Sequence, residues 1–173
     1  MAITISGSGI TSANIADGTI VNADINSSAA IDGTKVSGSF GKVLQVLQIQ
    51  DTTTTSVSTA TWTDVGLSLN ITPISTTSKI YAIWSVQGNM TNNNSGFGSR
   101  LMRNAAVATQ SAAYEAYTPY SQLRSHVTRS YIDSPALDTA ITYKIQVSSP
   151  TGATVAFNEN GVTTELTLME IGA

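Results

Sequence analysis

The first forty residues carry an aliphatic side chain at every fifth position. Ile5, Ile10, Ile15, Ile20 and Ile25 keep that step, Ala30 continues it, and after a one-residue insertion Ile31 and Val36 resume it. The residues between are small or polar, and Asp-Gly-Thr occurs twice, at Asp17-Gly18-Thr19 and Asp32-Gly33-Thr34, each with the strong turn signal of Asp-Gly. A five-residue step matches neither the 3.6-residue period of a helix nor the two-residue period of a strand, so it reads as a repeat. One isoleucine in five cannot build a core within one short segment, and the stretch is too short for the several coils of a β-solenoid. The aliphatic positions must be buried by identical copies wound about one axis or by the surface of a larger assembly. The alternative, a disordered tail, fits poorly with regular isoleucines, because disordered segments are depleted in them. Extended at ~3.3 Å per residue, about thirty such residues span about 100 Å with almost no self-contact.

Gly38-Ser39-Phe40-Gly41 reads as a hinge, dividing the chain into a period-five segment, 1–41, and a second domain, 42–173. Beyond it the period becomes two. Val65, Leu67, Leu69 and Ile71 alternate with Gly66, Ser68 and Asn70, and Ile141, Tyr143, Ile145 and Val147 alternate with Thr142, Lys144 and Gln146. Both predict strands with one buried face. Lys79 to Val86 is apolar on both faces, the pattern of a central strand. Val43 to Ile49, Thr154 to Phe157 and Glu165 to Ile171 complete the set, with turn signals at Thr72-Pro73, Gly88-Asn89, Asn92 to Gly96, Ser134-Pro135 and Ser149 to Gly152. The alanine-rich stretch from Leu101 to Tyr117 permits a helix, but a hairpin of Ser99–Arg103 and Val107–Gln110 turning at Asn104-Ala105, followed by an irregular loop, suits its surroundings better. The expected architecture is all-β: an extended repeat stalk followed by an antiparallel β-sandwich, jelly-roll-like and trimeric, in which closed symmetry covers edges and apolar faces that a single copy would expose.

Composition narrows function by exclusion. Charged residues are 11% of the 173, the net charge is −3, and no basic stripe is present, which argues against nucleic-acid binding. Hydrophobic residues are 41%, too many for a disordered chain. No apolar run is long enough for a membrane span, and no secretory signal is visible at Met1 to Thr4. With no cysteine there are no disulfides or thiolate metal sites. The single histidine, His126, reads as a surface or satisfied residue, and Asp17, Asp24 and Asp32 lack calcium-loop spacing. Nucleophile motifs and phosphate-cradling loops are missing. Glu115, Asp133, Asp138, Glu159, Glu165 and Glu170 could in principle supply the carboxylate pair of a glycosidase, but nothing in the sequence brings two together, and each reads as solvated surface charge. The expectation is therefore a non-enzymatic protein without cofactor or metal. What remains is surface: Tyr114, Tyr117 and Tyr120 around Pro119, Trp62 in a threonine-rich stretch, and the Asn92–Asn94 turn with Asn93 at its centre. Such rings stack on sugars or anchor interfaces when exposed; the competing reading makes them core or subunit-contact residues.

The segment from Ile15 to Ile25 (IADGTIVNADI) resembles repeats in tail-fibre and virion structural proteins of tailed bacteriophages, especially those of aquatic bacteria such as cyanobacteria. Leu69–Lys79 (LNITPISTTSK), Ser130–Val147 (SYIDSPALDTAITYKIQV) and Leu166–Ile171 (LTLMEI) resemble the same group. The resemblance implies a virion component, usually a homotrimer, with a thin stalk and a β-sandwich head, assembled in the host cytoplasm and released by lysis. It implies attachment to other virion proteins through the N-terminal segment and adsorption to a host-surface glycan or protein. The short chain fits a tail spike, a fibre tip or a capsid-attached fibre better than a full-length tail fibre. A decoration or connector protein that binds only other virion proteins is the alternative, and a carbohydrate-cleaving depolymerase a more distant one.

Overall fold

The computed structural model describes residues 42–111 and 113–172. The seven stalk positions, Ile5, Ile10, Ile15, Ile20, Ile25, Ile31 and Val36, lie outside the described residues.

Eleven strands run in chain order: β1 (Val43–Asp51), β2 (Thr55–Val57), β3 (Thr63–Ile71), β4 (Lys79–Met90), β5 (Ser95–Arg103), β6 (Ala106–Gln110), β7 (Ala116–Thr118), β8 (Leu123–Asp133), β9 (Ile141–Ser148), β10 (Val155–Phe157) and β11 (Thr164–Ile171). A 3₁₀ turn at Glu159–Gly161 is the one helical element among the described residues. β1 and β2 pair with β11 and β10 respectively, so each couple acts as one interrupted strand. β6 and β7 likewise share one side of β5. The first sheet then reads β1/β2, β11/β10, β4, β8, and the second β3, β9, β5, β6/β7. Apart from the β5–β6 hairpin, successive composite strands alternate between sheets, the connectivity of an eight-stranded jelly roll.

The period-two readings hold. Ile141, Tyr143, Ile145 and Val147 are all buried, as are Val65, Leu67 and Ile71. β4 is central, flanked by β8 on one side and by β11 and β10 on the other. It runs four residues past Val86 to Met90, because the even-numbered residues Val86, Gly88 and Met90 continue its buried face. Gly88 has a steric reason: a Cβ there would lie 2.5 Å from the ring of Phe97, which itself meets Phe157 edge-on with centroids 5.4 Å apart. Phe97 and Phe157 belong to opposite sheets, so this contact ties the two layers together. The hairpin at Asn104 forms as expected, with Asn104 in the left-handed region at φ 52°, which asparagine tolerates well.

Two expectations need correction. The stretch after the hairpin is not wholly irregular, because Ala116–Thr118 adds to β5 as β7. Glu115, Asp133 and Glu170 are not solvated surface charges; the latter two are buried, and Glu115's side chain is only 7% exposed. Donors meet each carboxylate, although at Glu115 they meet only Oε1 and Oε2 is buried without a hydrogen-bond partner.

The register defines two poles. The chain enters at Val43, and this proximal pole also carries the ends of β3, β5, β8 and β11. The distal pole is built from residues 58–62, 91–94, 119–122 and 149–154.

Candidate functional site

Four acid-centred clusters mark the sandwich. Near the proximal pole Asp133 of β8 accepts two bonds from Arg103 Nη1 at 3.0 Å and one from the Tyr143 hydroxyl at 2.6 Å, joining one sheet to the other. Burial, then the adjacent Asp133 carboxylate, raises the Tyr143 hydroxyl well above the ordinary tyrosine range, so it stays a donor. In mid-sandwich Trp84 Nε1 donates to Ser99 Oγ at 2.9 Å, and Ser99 Oγ donates to Glu115 Oε1 at 2.9 Å. Arg129 donates to the same oxygen at 2.9 Å and lies over the Trp84 ring. Burial raises the Glu115 carboxyl despite these donors. At Glu170 burial pushes the same way, but the Gln45 amide at 2.6 Å and the Ile74 N–H at 2.8 Å win and hold it below the usual range. Each acid is tied to donors, and no group of three or more His, Cys, Asp or Glu residues that could hold a metal exists among the described residues. His126 stands exposed on the outer face of β8.

The fourth cluster lies at the distal pole. Glu159, in the 3₁₀ turn, accepts from the Asn89 amide and from Arg124 Nη2 at 3.2 Å. With its amide oxygen turned toward Arg124, Asn160 accepts from both terminal guanidinium nitrogens at 2.7 Å. Asn89, Thr91, Gln122 and Arg124 line a cleft of about 450 Å³ beside them. Gln122 and Asn160 both sit at positive φ, 65° and 61°. For glutamine that is an uncommon conformation, held here by the tight turn between β7 and β8. Arg124 and Glu159 neutralise each other, so the cleft offers amides, a hydroxyl and a guanidinium without a net charge.

The aromatic residues come from the neighbouring stretch of chain: Tyr114 from the β6–β7 connection, Tyr117 from β7 and Tyr120 from the turn between β7 and β8. Tyr114, Tyr117 and Tyr120 are exposed, Tyr120 by 76%, which removes the reading that they are core residues of this domain. The rings of Tyr114 and Tyr117 lie 5.2 Å apart. The Tyr117 hydroxyl donates to Asn94 Oδ1 at 3.0 Å, so Asn94 rather than Asn93 is the polar partner, while Asn93 is exposed on the turn. Gly96 lets Tyr114 approach: a Cβ there would meet the ring at 2.6 Å. Tyr120 is held by its backbone, whose N–H donates to Thr118 Oγ1 and whose carbonyl accepts from it. Trp62 is half-buried under the Arg100 guanidinium, 4.8 Å from the ring centroid, and does not join the tyrosines.

A second depression of about 580 Å³ on the outer face of the other sheet is lined by Asp64, Asn104, Thr142 and Lys144 among others. Its polar groups satisfy one another: Lys144 and Gln146 donate to Asp64, and the Thr142 N–H donates to Asn104. The distal cleft differs in lying at a pole that also carries exposed tyrosines.

No family model matches this chain, and no curated protein matches its sequence. Among solved structures, the infectious bursal disease virus VP2 subviral particle is similar over 73% of this chain and 38% of that one, at 11% identity and a TM-score of 0.41. The chain thus spans well under half the length of that protein, and a likeness of this size carries no argument about function.

Proposed function

We propose that this chain is a structural virion protein of a tailed bacteriophage: one subunit of a homotrimeric fibre or spike whose β-sandwich head adsorbs to a glycan or protein on the host surface. The observation that carries this reading is polarity. The chain enters the sandwich at one pole, and the exposed tyrosines, the Asn92–Asn94 turn and the uncharged polar cleft gather at the other. A head presented on a stalk needs that arrangement, because the end opposite the attachment is the end that meets a surface. Aromatic faces beside planar amides and a guanidinium suit the alternating apolar faces and hydroxyls of a sugar ring. The period-five aliphatic segment, 1–41, supplies the reason for several copies and for attachment to other virion proteins.

Two measurements test it. Light scattering on the full chain should give three times the subunit mass. Fluorescently labelled trimer should bind host cells, and substituting Tyr117 and Tyr120 together by Ala should abolish that binding without changing the mass. A monomer would overturn the fibre reading. A folded trimer that binds neither cells nor a glycan array would mean that the head meets only virion proteins, as a connector does.

A further inference from the structure

We infer that the outer face of the first sheet, at the proximal pole, is where the heads of sister copies meet. The register aligns Val46 of β1, Met169 of β11, Tyr81 of β4 and Ile132 of β8 in a single row across all four composite strands. All four point away from the sandwich core, and Val46 and Ile132 are 55% and 58% exposed. Val43 and Ile171, paired with each other, extend the row toward the chain entrance, and Ile83 extends it the other way. One row further Gln48, Thr167 and Ser130 surround Ile83, and the next row, Gln50, Glu165, Ser85 and Thr128, is wholly polar. A contiguous apolar strip crossing a whole sheet differs from the scattered exposed aliphatics of any surface, and it marks a contact.

Three observations select a second copy of this chain as the occupant. First, the strip is confined to the pole where residues 1–41 join the domain, and that segment carries the aliphatic repeat that needs company. Second, the central row of Val46, Met169, Tyr81 and Ile132 carries no charge: Lys79, paired with Ile171, borders it on one side and Glu165 lies two rows away on the other, so nothing on that row selects a partner of opposite charge. Third, the dimensions close. Four strands about 4.8 Å apart make a face about 19 Å wide; three such faces enclosing a triangle each stand about 5.5 Å from the axis, close to half the ~10 Å spacing of face-packed sheets. The strip is small, on the order of 250 Å² per copy, against about 800 Å² for a stable free-standing interface. The heads therefore associate because the preceding segment holds them at high effective concentration. The inference thus rests on the trimeric reading proposed above, and assigns the face.

The absence of cysteine makes a direct test available. Ile132→Cys and Val46→Cys, each introduced singly into the full chain, report on the strip; Val107→Cys, 45% exposed on the other sheet, is the control. In the assembled protein a maleimide probe should label the two strip positions at least tenfold more slowly than the control, and all three should react alike in urea. Val46→Cys and Ile132→Cys lie on different strands, so each stands if the other misfolds. A trimer in which all three label at the same rate overturns the inference while leaving the trimeric reading intact. Protection that develops only on the phage particle assigns the strip to another virion protein and overturns it equally. A monomer by light scattering overturns the trimeric reading itself.

Discussion

Replacing Tyr143 by Phe isolates one interaction of the sandwich. The ring is fully buried and keeps its place in the core, so no large-to-small cavity cost enters. What is lost is the 2.6 Å bond to Asp133 Oδ2. Asp133, its side chain 9% exposed, keeps the two bonds from Arg103 but has little access to water to replace the third. A hydrogen bond to a charged group contributes roughly 1.5–3 kcal/mol, and because Oδ2 keeps its bond from Arg103 this one sits in the lower half of that range, about 2 kcal/mol. For a domain of this size that lowers Tm by about 6–10 °C. Urea unfolding followed by tryptophan fluorescence reads it, at one fixed protein concentration because an oligomer's stability depends on concentration. A double-mutant cycle with Arg103→Met should show coupling, since both residues serve one carboxylate. If Tyr143→Phe unfolds within about 0.5 kcal/mol of the parent, the inter-sheet clamp is not a stabilising element and the account of Asp133 is wrong.

Gly88→Ala sets a methyl group against the Phe97 ring, which Phe157 blocks on another side, and should cost about 1–3 kcal/mol by overpacking; an unchanged urea midpoint would show that the ring moves freely. Glu115 gives a pH signature. Burial raises its carboxyl in the folded state above the ordinary 4.5, so the folded chain holds the proton more tightly than the unfolded one. Its contribution is fully present below the unfolded pKa and is lost as pH rises through the folded one. The parent should therefore lose stability relative to Glu115→Gln as pH rises from about 4 through the raised folded-state pKa, and paired urea midpoints showing the opposite slope would refute this. In the N-terminal segment, replacing Ile15, Ile20 and Ile25 by Ser should weaken assembly while leaving the sandwich folded, because each fully buried isoleucine contributes roughly 1.5–3 kcal/mol. Light scattering together with circular dichroism checks both halves of that statement.

What was legible in the sequence was whatever period two makes visible. β3 and β9 keep one face apolar with polar residues between, and β4 is apolar on both, so their existence and the central place of β4 followed directly. β8 is harder to read. It is an edge strand whose inward positions include Ser125 and Arg129, residues that carry no hydrophobic signal. The buried acids were invisible for a related reason: Glu115 Oε1 meets Arg129 fourteen residues on, and Asp133 meets Arg103 thirty residues back, so only the folded register brings donor and acceptor together. The tyrosines were identifiable as exposed aromatics of a turn, whereas the cleft was not. Asn89 comes from β4 and Gln122 and Glu159 from two separate connections, and none has a spacing that marks it.

The four connections of the distal pole each cross from one sheet to the other, and none takes part in the inter-sheet bonds at Asp133 or the strip around Tyr81. Sequence can therefore drift in residues 91–94 and 119–122 with little penalty to folding or to subunit contact. A lineage could retarget its host by exchanging a handful of turn residues while inheriting the scaffold unchanged, and a laboratory library confined to those turns should return well-folded variants at high frequency.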